Sequence, residues 1–199
     1  MIAKRREERR KVSMVKFMRR ALATILTASL VFATPVYAAN SPSTAPVAPT
    51  PATQSNVAAE AVNGIDLSAN TNQDGTASIE KVAKSNKKYV TIPSKIKVNG
   101  VEYTVTSLEK GALKNLKKAK KITLPETITV LKKGSIQAKK LKTLKITSKK
   151  APKVEKGAFK GKNTKKMTIK VSKKMSKKEF KKFVKRLRKA GYKGKVVRK

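Results

Sequence analysis

Leu108-Glu109-Lys110-Gly111-Ala112-Leu113 returns as Leu131-Lys132-Lys133-Gly134-Ser135-Ile136, and again as Val154-Glu155-Lys156-Gly157-Ala158-Phe159. Both glycine intervals are 23 residues. Each copy is followed by a short alternating segment: Ile122-Thr123-Leu124, Leu144-Lys145-Ile146, and Met167-Thr168-Ile169-Lys170-Val171. One such unit shows a single apolar row and cannot bury it alone, so the units are expected to stack. Stacking lays Leu124, Ile146 and Ile169 above one another, with Leu108, Leu131 and Val154 in a second row and Leu113, Ile136 and Phe159 in a third. The small residue after each glycine suits a bend where backbones approach closely.

Outward from this core the signals change. Upstream, Val90-Thr91-Ile92-Pro93 reads as one more strand end. Two alternating runs then flank Asn99-Gly100, a dipeptide that supplies the positive φ angles of a two-residue hairpin turn. The hairpin, 90–106, is expected to cap the first repeat. Downstream, Ser176 and Glu179 form a capping-box pattern, and Phe180, Phe183, Val184 and Leu187 follow at helical spacing up to Gly191. This predicts a helix over 177–190 that shields the last repeat, against the alternative of a basic amphipathic helix lying on an anionic membrane. Tyr192 and Val196-Val197 are expected to form a short closing strand. A period in the twenties with one strand per unit predicts a β-rich repeat solenoid of leucine-rich-repeat type. About three units are expected over 107–175, between a hairpin cap and a helical cap.

The glycine-centred unit and its following strand resemble the BspA-like leucine-rich repeats of bacterial surface proteins. Ala158-Phe159-Lys160-Gly161 and the segment Ile122-Thr123-Leu124-Pro125-Glu126-Thr127-Ile128 carry the resemblance most closely, and it covers about 90–175. The units at Leu113 and Ile136 depart from the pattern by lacking an aromatic there. The resemblance implies a secreted or cell-surface binding module, a class that includes adhesins.

The remaining chain is punctuated by composition. A basic run from Lys4 to Arg20, an apolar stretch from Ala21 to Ala33 and the small residues Val36 and Ala38 match a signal peptide over 1–38. The apolar stretch is too short for a membrane anchor, which needs about 20 residues. Met14 opens a leader of more usual length and is the alternative initiator. Residues 39–79 contain no Lys or Arg and are rich in Pro, Thr, Ser and Ala, which predicts a disordered linker. The folded domain is then expected over 80–199, where 41 basic residues face six acidic ones. Only Arg186, Arg188 and Arg198 of those basic residues are arginines, so diffuse attraction to polyanions is expected rather than a shaped anion site.

The sequence has no Cys and no His, which removes disulfides, thiolates, the commonest general base and the commonest metal ligand. Asn70, Asn72 and Asp74 faintly echo a calcium loop, but position 12 falls on Lys81, so a polar turn is expected. Leu124-Pro125-Glu126-Thr127 resembles part of a sortase signal but continues with Ile128 and reads as a strand end. No two of Glu80, Glu102, Glu109, Glu126, Glu155 and Glu179 stand out as an acid–base pair. No catalytic residue, cofactor or metal site is therefore expected. Period-2 alternation puts Lys145 and Lys170 on the outer face of the strands, with Lys121 and Lys166 just outside; these four are the candidate polyanion-binding face. The expected partner is a host or cell-envelope macromolecule, whether an acidic polymer, a glycan or a protein, met outside the cell with no transmembrane span after signal removal. The alternative is an extracellular protein that binds nucleic acid or other polyanions without specificity. Few aromatics are available for base stacking.

Overall fold

A 23-residue circuit that holds two short alternating segments can place them on two different walls, so that each segment pairs with its equivalents in the next circuit. The computed structural model, which describes residues 49–199, has this arrangement. The signal-peptide reading, 1–38, and the start of the expected linker lie outside the described residues. The strands are β1 (Gln54–Val62), β2 (Ile65–Thr71), β3 (Thr76–Val82), β4 (Tyr89–Thr91), β5 (Lys95–Val98), β6 (Val101–Leu108), β7 (Lys121–Leu124), β8 (Val130–Leu131), β9 (Thr143–Ile146), β10 (Lys153–Val154), β11 (Thr168–Val171) and β12 (Lys195–Arg198), with one helix, α1 (Lys177–Lys189). The first sheet runs β1-β2-β3-β6-β8-β10, with β5 also paired to β6. The second sheet, β12-β11-β9-β7-β4, is parallel at every step.

Registers fix which side chains stack. In the first sheet Ile79, Leu108, Leu131 and Val154 are successive partners, which extends the expected row of 108, 131 and 154 by one strand. In the second sheet Leu124 pairs with Ile146 as expected, but Ile146 pairs with Val171, not Ile169. Ile169 instead opposes Leu144, which opposes Ile122. The row named from the sequence is therefore corrected by two residues at its last member. The cause is unequal turns: the strand starts ten residues after Gly111, nine after Gly134 and eleven after Gly157. Because the shift is an even number, Ile169 still points inward. Ile122, Leu144, Ile146 and Ile169 are all 0% exposed, and each such burial contributes roughly 1.5–3 kcal/mol.

The glycines hold the turns in line. Gly111 N–H donates to the Gly134 carbonyl at 2.9 Å and Gly134 N–H to the Gly157 carbonyl at 2.9 Å. Gly134 has φ +69°, and the Lys110 stem lies against it, its Cγ 3.6 Å from where a Cβ would sit. Leu113 and Ile136 donate across the same turns to Ser135 and Ala158, so the third row stacks as expected.

Two expectations are overturned upstream. Residues 54–79 are not a disordered linker, because β1, β2 and most of β3 lie there, and the folded region begins well before residue 80. A composition rich in Pro, Thr, Ser and Ala points to a linker, whereas these strands are closed by turns and small residues. Asn63 and Gly64 both have positive φ (55° and 63°) between β1 and β2, and Ala69 and Ala77 are fully buried beside Ile65, Leu67 and Ile79. A hairpin does form about Asn99-Gly100, but as β5 and β6 over 95–108 rather than 90–106, with residues 90–91 in β4 of the second sheet, and β3 pairs in parallel with β6. The hairpin is thus interior, with the β1–β3 meander beyond it.

At the other end, Ser176 Oγ accepts from Glu179 N–H at 3.2 Å and starts α1. Glu179 does not return the bond; its carboxylate accepts from Ala151 N–H at 2.8 Å and ties the helix to the loop before β10. Phe183 and Leu187 are buried in the common core, so the apolar face of α1 is used within the fold and is not free to enter a membrane. Ala190 O accepts from Gly157 N–H at 3.3 Å, which continues the glycine ladder onto the helix end. The closing strand β12 pairs in parallel with β11. Tyr192 OH donates to Met167 O at 2.6 Å, and burial pushes this phenol up to about 12. Gly194 packs so closely there that a Cβ would overlap the carbonyl oxygens of Met167 and Thr164.

Candidate functional site

The second sheet presents its alternate residues outward, and its register brings three of the four candidate lysines together. Lys145 and Lys170 are direct partners on β9 and β11, and Lys121 starts β7, two residues before Thr123, the partner of Lys145. With Val171 and Lys199 they line a shallow depression of about 270 Å³. Lys166 is not part of it; it sits exposed in the turn ahead of Met167. Lys199 takes its place because β12 runs parallel to β11 and ends opposite Val171. Placing that lysine requires the β11–β12 register, which the alternation within one repeat does not contain. Among the described residues no carboxylate lies within ion-pair reach of Lys121, Lys145, Lys170 or Lys199. Two lysines directly opposite on neighbouring strands repel, so this face carries an electrostatic cost that a bound anion would relieve.

Most of the described carboxylates serve the framework. Glu109, Lys132 and Glu155 occupy one repeat position in three successive circuits. Lys132 Nζ is 2.6 Å from Glu109 Oε1, and Glu155 Oε2 accepts from Lys133 N–H at 2.9 Å. Glu102 pairs with Lys95 across the hairpin at 2.6 Å, and Glu80 accepts from Asn70 Nδ2 at 3.1 Å. The Ala151 N–H and then nearby Lys182 hold the Glu179 carboxyl below the usual carboxylate range. Of the calcium-loop echo, Asn70 lies on β2 while Asn72 and Asp74 form the β2–β3 turn, where Asp74 Oδ1 accepts from both the hydroxyl and the N–H of Thr76, which lowers its pKa. The described residues hold no cluster of three or more Asp, Glu, His or Cys arranged to bind a metal.

The three arginines are equally committed. Arg186 donates to the carbonyls of Ala151 and Pro152, Arg188 to those of Tyr192 and Gly194, and Arg198 to those of Met175 and Lys173. Each fork holds backbone at the C-terminal end of the array, which leaves the free cationic surface to lysine alone.

A family model described as a BspA type leucine rich repeat region (6 copies) matches residues 84–196, more than half of the chain. The chain belongs to the BspA-type leucine-rich-repeat family. Its parallel ladders, its glycine turns and the one helix among the described residues make it a β-rich leucine-rich-repeat protein. Among solved structures it is similar to a leucine rich cell surface protein from Faecalibacterium prausnitzii A2-165, with 20% identity and a TM-score of 0.44 over 57% of this chain and 32% of that one. It is also similar to a leucine-rich repeat protein from Bacteroides ovatus ATCC 8483, with 17% identity and a TM-score of 0.35 over 55% of this chain and 37% of that one. The chain thus spans about a third of the length of these structures. No curated protein matches it. Among the described residues of this BspA-type protein, no helix is long and apolar enough to cross a membrane.

Proposed function

We propose that this BspA-type repeat protein is an exported, non-enzymatic module of the bacterial cell surface that docks to acidic polymers of the envelope. One observation carries the reading: the sheet lysines Lys121, Lys145, Lys170 and Lys199 gather with no Asp or Glu side chain within ion-pair reach, while Glu109, Glu155 and the three arginines of the described residues are bonded within the framework. Membership of the family and the export-type leader support a surface location. In this reading the circuits form a short solenoid of about three regular 23-residue units, and α1 caps its C-terminal end. Docking is by lysine point charges and so falls steeply with salt. Washing whole cells with about 1 M salt, where the Debye length is ~3 Å, is expected to release the protein. Retention at that salt would overturn a charge-based attachment.

A further inference from the structure

The helix presents a second cationic surface, built differently from the first. Lys178, Lys181, Lys182, Lys185 and Lys189 recur at three- and four-residue steps and, with Arg186, line an open depression of about 440 Å³. The stripe covers three turns, about 16 Å of helix. Its single acid, Glu179, is bonded to Ala151 N–H, and its only ammonium neighbour is Lys182, at 3.6 Å. Lys181 and Lys185, and Lys185 and Lys189, are like charges four residues apart, a spacing that destabilises a helix. Repulsion of this kind, left without internal compensation beside a folded and well-capped helix, is what an external anion would remove.

The structure also selects the kind of anion. Planar, bidentate capture of a carboxylate calls for arginine, and both arginines of α1 are occupied by backbone carbonyls, whereas lysine serves as a point charge for phosphate. A membrane is disfavoured because Phe183 and Leu187, the side chains that would insert, are 0% exposed. Base stacking is disfavoured because the only exposed large hydrophobic residue among those described, Tyr89, is on β4 and not on the helix. We propose that the solvent face of α1 is a second docking site, distinct from the sheet lysines, that takes an extended chain of phosphate groups. It rests on the acidic-polymer reading above and adds to it a second site and a ligand chemistry.

The test measures binding of long-chain inorganic polyphosphate by the mature chain and two variants of equal charge. One is K178Q/K181Q/K182Q/K185Q/K189Q, in which glutamine keeps the helix propensity. The other is K114Q/K117Q/K118Q/K139Q/K140Q, in exposed turns elsewhere. The helix variant is expected to lose affinity on the order of a hundredfold at about 0.1 M salt, with its log–log salt slope reduced by about 3.5, at ~0.7 per phosphate contact. The turn variant is expected to lose less than about tenfold. Polyphosphate is expected to raise the Tm of the helix variant, which keeps the sheet lysines, by clearly less than that of the wild type and of the turn variant. If circular dichroism shows the helix variant unfolded, K181Q/K185Q/K189Q gives the same comparison at three sites. Equal losses in both variants overturn the helix site and leave the acidic-polymer reading standing. No binding by the wild type at about 50 mM salt overturns both. A larger loss on phosphatidylglycerol vesicles or on single-stranded DNA than on polyphosphate overturns the polymer assignment.

Discussion

Between β6 and β10 the first sheet is stacked by Leu108, Leu131 and Val154, whereas from β1 to β3 its large buried residues Ile65, Leu67, Ile79 and Val82 are interleaved with the small ones Ala59, Ala69 and Ala77. The first region coheres by apolar area, repeated at a fixed interval. The second adds turns and polar bonds to a less regular apolar face: Asn63-Gly64 closes one hairpin, Asn72–Gly75 closes the next, and Thr71 Oγ1 donates to Ala52 O at 2.6 Å. At the seam between them Ser107 Oγ bonds to Ser78 Oγ at 2.6 Å, directly beside the Ile79–Leu108 pair. One continuous sheet can therefore pass from one means of cohesion to the other within a single strand pair, and the two regions should fail in different ways.

The largest effect is expected in the ladder. Leu144 sits between Ile122 and Ile169 with no exposure, so Leu144→Ala should lower unfolding stability by about 3 kcal/mol, within the 2–5 kcal/mol usual for such cavities. A urea melt of the whole domain reads this. A loss below about 1 kcal/mol would mean that the circuits do not share one core. An intermediate effect is expected in the meander. Gly64 has φ +63°, where an alanine costs roughly 1–2 kcal/mol. Gly64→Ala should speed amide exchange in β1 and β2 about tenfold while leaving β7 and β9 unchanged. Equal acceleration in β7 and β9 would show that the meander and the ladder open as one unit. The smallest effect is a gain. The Ser135 hydroxyl is fully buried without a hydrogen bond, at the position that Ala112 and Ala158 fill in the neighbouring circuits. Ser135→Ala should raise stability by about 1 kcal/mol, because a desolvated hydroxyl is removed and nothing is left unpaired. A fall in the melting temperature would give that hydroxyl a role.

The contrast also explains what could be read in advance. The glycine interval of 23 is a property of the sequence, and the glycine hydrogen-bond ladder follows from it directly. The register of β11 does not, because it depends on how many residues each turn spends before the strand begins, and hydrophobic spacing leaves that free by two. Asn99-Gly100 is legible as a hairpin because Ile96, Val98, Tyr103 and Val105 alternate around it. Asn63-Gly64 carries the same turn chemistry, but half of the flank from Val57 to Val62 is alanine, and composition there argues for a linker. Small side chains can line a strand only where a neighbour comes close enough to cover them, and that is a tertiary fact. The lysines of the candidate face are legible where alternation within a strand decides them, as at Lys145 and Lys170. Lys166 and Lys199 depend on a turn and on a register, and there the alternation rule fails.

The meander differs from the ladder in charge as well as in packing. From Gln54 to Glu80 the chain carries Glu60, Asp66, Asp74 and Glu80 and no basic residue, while every lysine and arginine of the described region lies beyond. Among the described residues charge is therefore unevenly spread, with the acid-only stretch on β1 to β3 and the lysines concentrated on the ladder and helix. An anionic surface exerts a torque on such a body as well as a pull. It would draw the ladder and helix inward and turn the meander away, giving the docked protein a preferred orientation before any specific contact forms.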